Sequence, residues 1–205
     1  MIDNTTQNVI SSNNTFLINY YTNQPFNNAD LYISGVLGIY ETYKTAHEHI
    51  ENAFPDKQKI NMFTYEIFNH INSNPWTIAL KNKRILILSF HSNLIREKIS
   101  RRKDIYNGVD LFPECSIICV QTGNNSKENI YNICRYHSDT YDIVLLNAHE
   151  QNILANYIYD ILHKPVIVIG EILPIYFGII PRDFLNQRPD IEKLYVKDNP
   201  MWTII

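Results

Sequence analysis

At 205 residues and 24.1 kDa the chain is long enough to bury one proper core, and its 45% hydrophobic content is ordinary for a globular domain. Eighteen Lys and Arg against 21 Asp and Glu leave a net charge of -3 and a pI near 6.1, so there is no basic field to attract nucleic acid. No apolar run approaches the roughly 20 residues that span a bilayer, since even Val166 to Ile180 carries Glu171 and Pro174.

The first residues, MIDNTTQNVISSNN, are polar and lack the basic-then-apolar order of a signal peptide, which leads to an expectation of a cytoplasmic protein whose residues 1–28 are flexible or loosely docked. Residues 29–35 (ADLYISG) look extended. Residues 41–52 carry Tyr43, Ala46 and Ile50 at helical spacing ahead of Pro55, and residues 61–71 carry Met62, Phe63, Ile67, Phe68 and Ile71 as the stripe of an amphipathic helix. These two segments predict a helical elaboration before the main sheet.

Four short apolar runs follow: ILIL at 85–88 (closed by Ser89), SIICV at 116–120, DIVLL at 142–146 and PVIVI at 165–169. They are uninterrupted rather than alternating, as strands covered on both faces must be. Helix-length patterns at 127–136 and 153–162 separate the later runs, and an apolar segment at 173–180 follows the last. Such spacing is the mark of βαβ crossovers. The expected fold class is therefore α/β, a Rossmann-like doubly wound, mostly parallel sheet making a single domain over 1–205. Arg101, Arg102 and Lys103 are expected on a solvated helix end. Cys115, Cys119 and Cys134 lack CxxC spacing and are expected as reduced core thiols.

In such a sheet ligands sit outside the carboxyl ends of the strands, which directs attention to 89–93, 121–125, 147–152 and 170–173. No GxGxxG, GxxxxGK[ST], GxSxG or HExxH is present, so dinucleotide, P-loop, hydrolase and zincin readings have no support. His91 is a candidate general base or phosphate contact, or a loop histidine without a role. His149 and Glu150 form an adjacent pair where an acceptor hydroxyl would be deprotonated, or a plain helix start. Gln121 and Thr122 would bind a sugar or base by hydrogen bonds, or simply make a turn.

The stretches WTIALKNKRILILS (76–89), FPEC (112–115), YDIVLLNA (141–148) and GEILPIYFGI (170–179) resemble the glycosyltransferase family with the GT-D fold, over about residues 30 to 185. Gly170, Leu173, Phe177, Gly178 and Ile179 are in register with the most specific of its motifs. The resemblance implies a nucleotide-sugar donor, a glycan or glycoconjugate acceptor and a divalent metal, Mn or Mg. The family's acidic motif falls on VLGIYE at 36–41, so that Gly38 and Glu41 match while Ile39 stands where the family has Asp. Glu41 is thereby the implied metal ligand, and Gly38, Glu41, Gly170 and Glu171 join Gln121 and Thr122 as donor-site candidates. His149, Glu150 and Gln151 stand where the family is glycine-rich, and Glu171 stands where it has a second glycine. A catalytically lapsed binding or assembly module is the alternative to a working transferase, and either is compatible with a homo-oligomer.

Overall fold

The computed structural model describes residues 6–11, 16–21, 31–34, 58–61, 67–73, 75–148 and 151–205. Its strands in chain order are β1 (Thr6–Ser11), β2 (Phe16–Tyr21), β3 (Leu31–Ser34), β4 (Gln58–Asn61), β5 (Arg84–Ser89), β6 (Ser116–Gln121), β7 (Ile143–Asn147), β8 (Val166–Val168), β9 (Ile179–Ile180) and β10 (Thr203–Ile204). The first eight form one sheet in the order β4-β3-β1-β2-β8-β7-β5-β6. Strands β5 to β8 are all parallel to one another, β2 is parallel to β8, and β1 runs antiparallel to its neighbours β2 and β3.

The runs of β5, β7 and β8 become the buried parallel core because their two faces are both covered, whereas β6, at the sheet's edge, leaves Ile118 43% exposed and is not the two-sided strand its sequence predicts. Side chains alternate across a strand, so Ile85, Ile87, Ile143, Leu145 and Ile167 enter one hydrophobic cluster. Leu86, Leu88, Val144, Leu146, Val166 and Val168 enter the other. Helix α1 (Ser92–Lys98) and the short α2 (Arg102–Ile105) follow β5, and their Ile95 and Ile105 pack on the first face. Helices α3 (Lys127–Tyr136) and α4 (Gln151–Asn156) follow β6 and β7, and place Ile130, Cys134, Leu154 and Ala155 on the second. Helices leaving β5 and β7 therefore lie on opposite faces, and the sheet's switch point falls between those adjacent strands.

Local chemistry sets the helix ends. Ser126 caps α3, its hydroxyl accepting from the Asn129 N–H at 3.2 Å. Helix α4 runs on into a π-helical turn, Tyr157–Ile161. The segment at 173–180 resolves into a 3-10 helix, Gly170–Phe177, and then β9. Gly178 joins them at φ 69°, and a Cβ there would stand 2.9 Å from the Met201 carbonyl, so the position requires glycine on two counts.

Two expectations change on contact with the structure. Asn61 ends β4 and Ile67–Asn69 is a single 3-10 turn, so 61–71 is not one helix in its described parts. Strands β1 and β2 fall within 1–28, and residues 41–52, expected as a helix, lie outside the described residues. Arg102 is not on a solvated face: it pairs with Asp110 at 2.8 Å and donates to the carbonyls of Ile99 and Phe112. No helix among the described residues is long and apolar enough to cross a membrane.

Beyond β9, helices α5 (Arg182–Gln187) and α6 (Pro189–Ile191) lead to a tail fastened under the first face. The Trp202 indole N–H donates to the Ile105 carbonyl at 3.1 Å, and the Lys98 ammonium donates to the Met201 carbonyl. At the outer strand β6, the N–H groups of Ser116 and Thr122 point inward to β5. By the alternation of a parallel ladder, Cys119 and Gln121 then present their carbonyls outward. Arg96 and the Asn125 amide donate to those two carbonyls, which blunts the edge against pairing with another strand.

Candidate functional site at the carboxyl edge of the parallel strands

Strands β5, β6 and β7 each end on a polar residue, and the register brings these together. Ser89 lies opposite Gln121 on one side and Asn147 on the other. Having the same parity as Ile87, Cys119 and Leu145, they share the first face and make a polar row, Gln121–Ser89–Asn147, across the switch point. Neighbouring strands lie about 4.8 Å apart, so the outer two backbones are roughly 10 Å apart.

The middle of the row is fully engaged. The Ser89 hydroxyl accepts from the His91 N–H at 3.1 Å, and the Ser92 hydroxyl donates to the carbonyls of Ser89 and Val120 at 2.9 and 2.7 Å. The Thr122 N–H donates to the Ser89 carbonyl at 3.2 Å. The flanks are incomplete. The Gln121 amide nitrogen donates to the Phe90 carbonyl, but its Oε1 is buried without a partner. Asn147 is 1% exposed, and its Nδ2 is likewise buried and unpaired. A buried polar atom left unpaired costs on the order of 1–3 kcal/mol, so the orphans at the two ends of the row call for a partner, whether an ordered water or a ligand.

On the second face the same strand ends open into a cavity of 210 Å³ between α3 and α4. Thr122, Gly123, Asn125 and Lys127 form its polar side; Ile130, Tyr131, Ala148 and Leu154 form its apolar side. Thr122 is 6% exposed and its hydroxyl has no hydrogen-bond partner. Tyr131 is held by a stack on Tyr157 at 4.4 Å between centroids, and Tyr157 opens the π-helical turn after α4.

The opposite edge of the sheet is closed by charge pairing. The Arg84 guanidinium donates to Asp142 Oδ1 at 3.1 and 2.6 Å and to the Asp139 carbonyl at 2.7 Å, while the Arg84 N–H donates to Asp142 Oδ2 at 2.8 Å. These hydrogen bonds from Arg84 hold the Asp142 carboxyl down at about 2. The thiols of Cys119 and Cys134 are buried, and desolvation pushes each up to about 12, so they act as core hydrophobes.

Of the residues singled out from sequence, His91, Gln121 and Thr122 are brought together at the adjoining ends of β5 and β6. His91 sits at the N-cap of α1, and Thr122 belongs to the cavity while Gln121 belongs to the polar row. Gly170, at φ 68°, and Glu171 open the 3-10 helix after β8, on the β7 side of the switch point. Gly38, Glu41, His149 and Glu150 lie outside the described residues. Among the described residues no group of three or more His, Cys, Asp or Glu is gathered as metal ligands. The polar row offers neutral amides and a hydroxyl, and the cavity adds the Lys127 ammonium, rather than the carboxylate oxygens a divalent cation prefers, so no step is derived through a metal.

The stretch most similar to the resembled family has a packing explanation. Leu173, Phe177 and Ile179 are fully buried in the first cluster, and Gly178 answers a backbone need. Asn147, Asn125, Lys127 and Tyr131 were not singled out from sequence, although Asn147 and Asn125 fall in strand-end segments. The available signal for Asn147 was a polar residue closing an apolar run that the sheet buries. A scan against protein-family models, a search of the curated proteins and a search of the solved structures match nothing.

Proposed function

We propose that the protein binds a nucleotide sugar across the carboxyl edge of its parallel strands and transfers the sugar to a hydroxyl of a glycan or glycoconjugate. The observation that carries the binding half is the polar row, with an unpaired acceptor on Gln121 and an unpaired donor on Asn147 flanking the switch point. A hydroxyl both donates and accepts. Ser89 and both orphan atoms are buried, so a polyhydroxylated ligand would satisfy the orphans only where its binding opens the strand ends, and an apolar ligand would satisfy neither. Support for the transfer half comes from the resemblance of residues 76–89, 112–115, 141–148 and 170–179 to the GT-D glycosyltransferases.

In this proposal the acceptor oxygen forms a bond to the anomeric carbon as the bond from that carbon to the diphosphate breaks. The nucleoside diphosphate leaves with the electron pair. The acceptor's proton passes to a base, for which His91, His149 and Glu150 are the candidates. Single Ala substitutions at these three, assayed for transfer, test that role; wild-type rates in all three would remove it.

One observation favours a second reading, a binding module without turnover. The family-like residues of the 170–179 stretch are core, whereas the departures, Ile39, His149, Glu150 and Glu171, fall where the resembled family places its donor site. A thermal-shift panel with UDP-, GDP-, CMP- and dTDP-sugars, each with Mn²⁺, Mg²⁺ or EDTA, separates the readings when combined with an assay of released nucleotide. At about 100 times its dissociation constant a ligand adds roughly 2.7 kcal/mol, several degrees for a domain of this size. A shift with turnover supports the transferase, a shift without turnover supports the module, and no shift overturns both.

A further inference from the structure

We draw no further inference here: the strongest candidate, the cavity at the amino end of α3 where Gly123, Asn125 and Lys127 meet, rests on a helix N-terminus alone, since the buried unpaired hydroxyl beside it, that of Thr122, shows no open surface to the cavity.

Discussion

The two ends of the parallel strands are built from the same runs of sequence and finished in opposite ways. At the amino end, Arg84 and Asp142 close on each other through a fork of hydrogen bonds, and the Asp139 carbonyl takes a further guanidinium N–H. At the carboxyl end, Gln121, Thr122 and Asn147 each keep one buried atom without a partner, three of the four such side-chain atoms among the described residues. Folding alone would favour pairing or replacing all three. One sheet thus carries an edge whose polar groups are completed by the fold and an edge whose buried polar groups are left incomplete.

The largest expected effect belongs to neither edge. Leu145, fully buried in the middle of β7, supports both ends of the strand, and Leu145→Ala is expected to cost about 2–5 kcal/mol in urea unfolding. A loss well under 1 kcal/mol would mean that β7 is not the packed centre described. Next comes the test that separates the edges. Asn147→Leu should weaken nucleotide-sugar binding at least tenfold while leaving unfolding free energy unchanged or raised by up to about 1 kcal/mol, because an unpaired amide gives way to an apolar group of similar shape. Equal losses of stability and binding would show that Asn147 serves the fold.

The smallest effect lies at the amino end and appears with pH. The Asp142 carboxyl is held at about 2 by hydrogen bonds from Arg84, below its ordinary value of 3.8. Its contribution is therefore fully present above the unfolded value and lost as pH falls through the folded one. Melting temperature should fall more steeply between pH 4 and pH 2 in wild type than in Asp142→Asn. The pair is partly exposed, so the difference at neutral pH should be a few degrees or less. Identical pH profiles would remove the pair from the account of that edge.

The sequence was most legible where burial was two-sided. Ile85–Leu88 and Val144–Leu146 are apolar at every position because both faces are covered, and the strands fall within a residue of the runs. Short strands whose existence depends on a partner were not legible: β4 drew no strand assignment, its last residue Asn61 falling in the expected helix, and β9 and β10 are two residues each. The strand-end rule pointed to 121–125 and 147–152 before any coordinate, and the polar row lies at those ends. What it lacked was satisfaction. Whether Asn147 or Thr122 finds a partner depends on neighbours from other strands and helices, and no spacing in the chain records it. The GEILPIYFGI stretch shows the converse, since Leu173, Phe177 and Ile179 are core and Gly178 makes a left-handed turn, so the residues that carry the resemblance also serve the fold.

The most direct test of the carboxyl edge as the ligand edge is an amide chemical-shift titration of the labelled chain with a UDP-sugar. The account predicts perturbations gathered at 89–93, 121–131 and 147–154, with Arg84 and residues 139–142 unmoved. Perturbations centred on the Arg84–Asp142 end, or none at saturating ligand, would contradict it.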